Sequence, residues 1–179
     1  MESNVIHPSF KHGKNFKIGN FNVIGENVVV GDNVYIDNYV LIENDCKIGD
    51  NCHISTYAKL PEDTVLGTNV RIGGWCRTGK HTRVGDNVVM KAKAILGPNA
   101  TVGADTTIGP YGILLHGKHT GESLVTKVGK RCWVGAHAAV GPGIEICDDV
   151  VVGAFCRVTK SISEKGIYVG IPAEKFIRK

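Results

Sequence analysis

Every sixth residue of this chain is aliphatic over most of its length. From Ile18 the register runs through Ile24, Val30, Ile36, Ile42, Ile48, Ile54, Leu60, Leu66 and Ile72, breaks at Thr78, and continues from Val84 to Leu114. After a slip it resumes at Val128 and holds to Val158. Glycine often follows the aliphatic residue, as at Gly19, Gly31, Gly67 and Gly103, and a small residue (Val, Ala, Thr or Cys) comes four places on. An α-helix cannot keep a strict period of six, because its 3.6-residue turn carries successive positions around the axis. Short strands can. Two inward side chains, two apart, flank an outward one, and a corner of glycine or asparagine then turns the chain at low cost. Three such strands make a triangular coil of eighteen residues (3 × 6), and stacked coils pair in parallel at roughly 4.8 Å.

The residue three after each aliphatic tests that period independently. Sorted by eighteen, one column reads Phe21, Tyr39, Tyr57, Trp75, Lys93, Tyr111. A second reads Asn27, Asp45, Asp63, His81, Asn99, and a third Asn15, Asn33, Asn51, Asn69, Asn87, Asp105. Three chemically distinct corners give the coil three sides. The aromatic column reads as rings stacked along one edge.

Six cysteines could suggest disulfides or a metal. Cys46, Cys52, Cys76, Cys132 and Cys156 instead occupy the small inward position, with Cys147 at a corner and no CxxC pair. Buried cysteine acts as a small hydrophobe. Charge is mildly positive (+4) and mixed along the chain, with no basic block to suggest nucleic acid. Met1 to Lys17 holds no apolar run fit for a signal peptide, and no later run is long enough to span a bilayer. A cytoplasmic protein without a membrane partner is the expectation, as one domain over 1–179.

Between Leu114 and Val128 lie fourteen residues' spacing where six would do, a surplus of eight (14 − 6). If one hexad is simply lengthened, His137 and Phe155 continue the aromatic column, and a loop at 115–127 leaves one corner. That loop holds His116, Lys118, His119, Thr120, Glu122 and Ser123. A long excursion from a rigid repeat is a favoured place for chemistry.

The segment from Lys127 to Ile177 resembles the C-terminal half of hexapeptide-repeat acyltransferases such as the maltose, galactoside, serine and nucleotide-sugar acetyltransferases. The matching pieces are Trp133-Val134-Gly135-Ala136, Val140-Gly141-Pro142-Gly143, Val152-Gly153-Ala154, Val158-Thr159-Lys160 and Gly170-Ile171-Pro172-Ala173. The resemblance implies an all-β, left-handed parallel β-helix with one protruding loop and a short C-terminal tail (161–179). It also implies a homotrimer whose active sites lie between subunits, and acetyl-CoA as co-substrate with no metal. Trp133, Gly135, Ala136, Gly153 and Ala154 are the positions expected to line the pantetheine groove, with Pro172 near the adenine and Lys160 at the phosphates. A loop histidine acts as general base in such proteins, and His119 fits best with His116 as competitor. The sequence departs from the maltose and galactoside pattern, in which histidine is followed by proline.

Such a base takes a proton from an amine or hydroxyl of the acceptor as it attacks the thioester, and a backbone N–H stabilises the oxyanion. Glu122 could orient the imidazole, although a solvated loop carboxylate is the simpler reading. Arg71, Arg77 and Arg83 occupy outward strand positions on three successive sides, with Lys59 one coil below Arg77. They are candidate contacts for the phosphate or carboxylate of a nucleotide-linked amino sugar, or else a solvated face. Two rivals stand beside this reading. One is a γ-class carbonic anhydrase-like zinc enzyme using His81, His116 and His119, although that family spaces its histidines differently. The other is a non-catalytic β-helix assembly module.

Overall fold

A computed structural model describes residues 3–117 and 120–177. Its strands are almost all two residues long and pair in parallel with the strand eighteen positions away, as in Val5↔Val23 and Tyr35↔His53. The result is a left-handed parallel β-helix with three faces and, among the described residues, no helix. The first face runs from Val5–Ile6 through Val23–Ile24, Leu41–Ile42 and Lys59–Leu60. It passes Arg77 as an isolated bridge and continues from Ile95–Leu96 to Arg157–Val158. The second face runs from Lys11–His12 to Glu145–Ile146, and the third from Lys17–Ile18 to Gly166–Val169. The third face carries ten strands, the last of them antiparallel, so nine rungs stack in parallel where the register suggests about eight. Among the described residues no helix is long and apolar enough to cross a membrane.

The three corner columns share one backbone conformation. Phe21, Asn27 and Asn33 have φ of 60°, 55° and 56°, and the same left-handed turn recurs up each edge, including His137 and Phe155 beyond the loop. Side chains differ by column. Phe21, Tyr39, Tyr57 and Trp75 stack ring on ring at 4.2–5.1 Å, as do Tyr111, His137 and Phe155 at 4.6–4.9 Å. At the asparagine edge, Asn15 donates to Asn33 and Asn33 to Asn51 at 2.9–3.0 Å.

Glycine after the inward aliphatic residue has a steric reason. A Cβ at Gly19 would lie 2.5 Å from Asn38 Oδ1 in the coil above. That oxygen accepts the Asn20 N–H at 2.7 Å, tying coil to coil.

Ile36, Ile54, Leu60, Ile72, Ile108 and Leu114, all fully buried, form a column of hydrocarbon along the axis. The small inward positions do more than fill space. Thiols of Cys46, Cys52 and Cys76 donate to carbonyls fifteen residues on, at Pro61, Gly67 and Lys91 (2.9–3.2 Å). Thr126 does the same to Gly141 at 3.1 Å. Burial pushes these three thiols up to about 11. All six cysteines are free.

At Thr78 the first face is irregular. In the coil below, Glu43 donates its N–H to Leu60 at 2.9 Å, but Pro61 has no N–H for the equivalent bond to the coil above. The Thr78 hydroxyl turns inward instead and meets that of Thr64 at 3.1 Å.

The stretch expected as a tail begins as a ninth coil. Ile162 bridges Ile146 on the second face, and Gly166–Val169 pairs with Val150–Val152 on the third. Gly170 to Ala173 then lies along the end of the first face. Arg157 donates to Gly170 O at 3.2 Å and Ala173 donates to Arg157 O at 2.9 Å.

Candidate active site

The surplus of eight residues is absorbed at a single corner. Ile113–Leu114 still pairs with Ala139–Val140, and Thr101 pairs with Lys127, twenty-six positions away (18 + 8). The loop therefore replaces the turn that joins the first face to the second, and the repeat continues undisturbed above it. Its base is a small hairpin. Gly117 bridges Ser123, Leu124 donates to His116 O at 2.6 Å, and the buried Thr126 hydroxyl donates to Leu115 O at 2.6 Å. Leu124 seats against Gly143, where a Cβ would lie 3.0 Å from its Cδ1.

This base fixes His116. Its imidazole lies over Gly97 in the coil below, and a Cβ on Gly97 would stand 2.7 Å from His116 Cβ and 2.9 Å from Nδ1. A groove of about 670 Å³ opens there along the first face, with Ile95, Ile113 and Leu115 as apolar floor and His116 at one rim. Lys59, Arg77, Lys80 and Glu43 complete it towards the lower coils. His119, the favoured base, lies outside the described residues, as does Lys118. Glu122 is exposed on the loop.

The cations of this region are not equivalent. Lys59 pairs with Glu43 at 2.8 Å, and that contact holds the Glu43 carboxyl below its ordinary value. Lys80 pairs with Glu62 at 2.8 Å, which raises the lysine. Arg77 has no ion pair or side-chain hydrogen bond among the described residues, so its guanidinium faces the groove unspent. The other two arginines of the belt do not join it. Arg71 projects from the third face between His53 and Val89. Arg83 projects from the second and binds Asp63 Oδ2 at 2.6 Å. Asp63 also takes His81 Nδ1 at 2.9 Å, and these contacts, Arg83's first, hold its carboxyl low. Among the described residues no group of three His, Cys, Asp or Glu side chains could hold a metal.

The positions expected for acetyl-CoA fall on both edges of the first face near its upper end. Gly135, Ala136, Gly153 and Ala154 flank the aromatic corner, directly after Trp133–Val134 and Val150–Val152 on the third face. Lys160 lies at the opposite edge, above the loop, and is exposed. Pro172 sits in the segment hydrogen-bonded to Arg157. Sequence reasoning did not single out Gly97, which makes room for His116, or Arg157, which anchors the closing segment. Gly97 did carry a signal, since it belongs to the glycine set one residue after the register.

Six-residue rungs, three corner columns and one loop-bearing edge define a hexapeptide-repeat β-helix protein. The chain belongs to the GMPPB C-terminal domain family, which matches residues 1–94, more than half of its length. The bacterial transferase hexapeptide (six repeats) family matches residues 126–160. Among curated relatives, the galactoside O-acetyltransferase of Escherichia coli (strain K12) is 31% identical over 81 residues, covering 43% of this chain and 40% of the relative. The putative lipopolysaccharide biosynthesis O-acetyl transferase WbbJ of the same strain is 43% identical over 58 residues, covering 32% and 29%. The chain thus matches less than half the length of these relatives. Among solved structures, the UDP-N-acetylglucosamine acyltransferase from Campylobacter jejuni superposes with a TM-score of 0.76 at 19% identity, covering 97% of this chain and 72% of that one. That likeness is one of fold.

Proposed function

We propose that this chain is an acetyl-CoA-dependent acyltransferase that acetylates an amino or hydroxyl group of a sugar, specifically a nucleotide-linked amino sugar. The observation that carries the reading is the convergence of His116 and the unpaired Arg77 on one apolar groove of the first face. Relatives named as galactoside, lipopolysaccharide and colanic acid acetyltransferases support sugar as the acceptor class. The donor lies along the upper first face, with pantetheine against Gly135, Ala136, Gly153 and Ala154, Trp133 beside it, Lys160 at the phosphates and Pro172 at the adenine. A loop histidine, His119 or His116, removes the acceptor's proton as its lone pair attacks the thioester carbonyl, then returns a proton to the departing thiolate. The working form is the homotrimer that the family resemblance implies, and a second subunit completes the groove over outward Ile95 and Ile113. Six free cysteines suit a reducing compartment, the cytoplasm.

The test is thiol release from acetyl-CoA against a panel of plain amino sugars, nucleotide-linked amino sugars and amino acids. Release with sugars alone supports the reading. Failure with every sugar, together with no calorimetric binding of acetyl-CoA, would return the chain to the assembly-module alternative.

A further inference from the structure

The aromatic edge has one rung without a ring. Phe21, Tyr39, Tyr57 and Trp75 form one stack and Tyr111, His137 and Phe155 another, and Lys93 stands between them. Its side chain leans upward, with Nζ donating to Tyr111 OH at 2.9 Å and lying 5.0 Å from that ring's centroid. Tyr57 covers the lower face of Trp75 at 4.2 Å, while no ring or cation contact is made on its upper face among the described residues. Exposure agrees. Trp75 is 60% exposed, like the stack ends Phe21 (56%) and Phe155 (66%), whereas Tyr39 and Tyr57, covered on both faces, are 46% and 43%.

Two rungs separate Trp75 from Tyr111, roughly 9.6 Å at about 4.8 Å per coil. Neighbouring rings of this edge already stack at 4.2–5.1 Å, so one planar ring fits that gap once the lysine swings aside. The surroundings specify more than a ring. Arg77, the unpaired guanidinium, follows Trp75 by two residues and so lies on the first-face floor beside the slot. Gly97, with His116 over it, stands four residues beyond Lys93 across the strand Ile95–Leu96, at most about 13 Å away at about 3.3 Å per residue.

We infer that the Lys93 rung is a base-binding slot in which the heteroaromatic base of a nucleoside diphosphate stacks on Trp75, its phosphates meeting Arg77 and the displaced Lys93 ammonium. The inference rests on the acyltransferase reading for its direction, placing the sugar of a nucleotide-linked acceptor at His116. Stacking on an aromatic face tolerates different bases, so the slot recognises ring and phosphates together. Coenzyme A also carries a base and phosphates, and the slot is assigned here to the acceptor.

The probes are uridine 5′-diphosphate and guanosine 5′-diphosphate, titrated calorimetrically into the full chain without acetyl-CoA, with adenosine 3′,5′-bisphosphate as the comparison. The decisive variant is Lys93→Phe, which puts a ring in the slot. It should raise the melting temperature by joining the two stacks, yet weaken nucleoside diphosphate binding tenfold or more, the loss expected when one base–aromatic stack is removed. Affinity for adenosine 3′,5′-bisphosphate should stay the same. Trp75→Ala should weaken the diphosphates by a similar factor. The slot is overturned if neither diphosphate binds, if Lys93→Phe binds them as well as the native chain does, or if only the bisphosphate is lost. Thiol release with unphosphorylated amino sugars separates the two claims. Release without diphosphate binding keeps the acyltransferase and removes the slot. Diphosphate binding sensitive to Lys93→Phe, without release on any acceptor, keeps the slot and removes the acyltransferase.

Discussion

Along one edge of the first face, aromatic rings stack from Phe21 to Trp75 and again from Tyr111 to Phe155. Along the other edge the same turn is made by Asn27, Asp45, Asp63, His81 and Asn99, is interrupted by the loop, and resumes at Gly143 with φ 70°. Both edges meet the same backbone demand, a left-handed residue at every coil. Asparagine, aspartate and glycine meet it at little intrinsic cost. Tyrosine and tryptophan do not, and ring stacking offsets the difference at about 0.5–1.5 kcal/mol per pair. An edge that relies on ring stacking to offset its turns must keep its residues in file, whereas an edge whose residues tolerate the turn by themselves can be opened and lengthened. The loop stands on the second kind.

The largest expected effects break the loop edge. His119→Ala should lower kcat by about 10²–10⁴, the usual contribution of a general base, with coenzyme A affinity nearly unchanged. If His116→Ala produces that loss and His119→Ala does not, the base is His116. Silence from both in a folded protein would remove the loop from the chemistry. Next comes Gly97→Ala, whose methyl group must push His116 aside; kcat should fall about tenfold, because small misplacements of a reacting group are costly, while circular dichroism stays unchanged.

On the floor between the edges, Arg77→Ala should raise the acceptor KM about tenfold and leave that for acetyl-CoA alone. Arg83→Ala should not, since its guanidinium is already engaged by Asp63 on another face. Equal effects from both would mean that the arginines act together across subunits. The smallest effect belongs to the aromatic edge away from the groove. Tyr39→Ala removes two stacked neighbours and should cost about 1–3 kcal/mol in chemical unfolding, with kcat and both KM values intact. A loss of activity there would show that the edge transmits to the site.

The coil was readable because one backbone requirement repeats every six residues and leaves Ile, Gly and Asn in step. The place of the loop was readable as well, since a surplus of eight residues with the columns preserved admits only one bulging corner. Other features lay beyond the periodicity. That Arg71, Arg77 and Arg83 face three ways follows from their six-residue spacing, but only the groove, which Arg77 alone of the three lines, singles it out. The ninth coil escaped because its aliphatic register lapses after Val158, and its inward positions fall to Ile162 and the half-buried Tyr168, which are six apart but out of step with that register. The pairing of Cys46 with Pro61 O, fifteen residues on, needs the height of a coil as well as its perimeter.

Thr78 puts a hydroxyl into the aliphatic register column, where it meets that of Thr64, at the one level where Pro61 withholds a rung bond. In a stack where each coil touches only its neighbours, cooperativity is passed on one interface at a time. An interface one bond short is where such a stack should part first, and the amides of the two blocks should then exchange with solvent as separate families. The seam passes beside Arg77, so the lower wall of the groove can breathe while the coils that carry Gly97 and the loop stay closed.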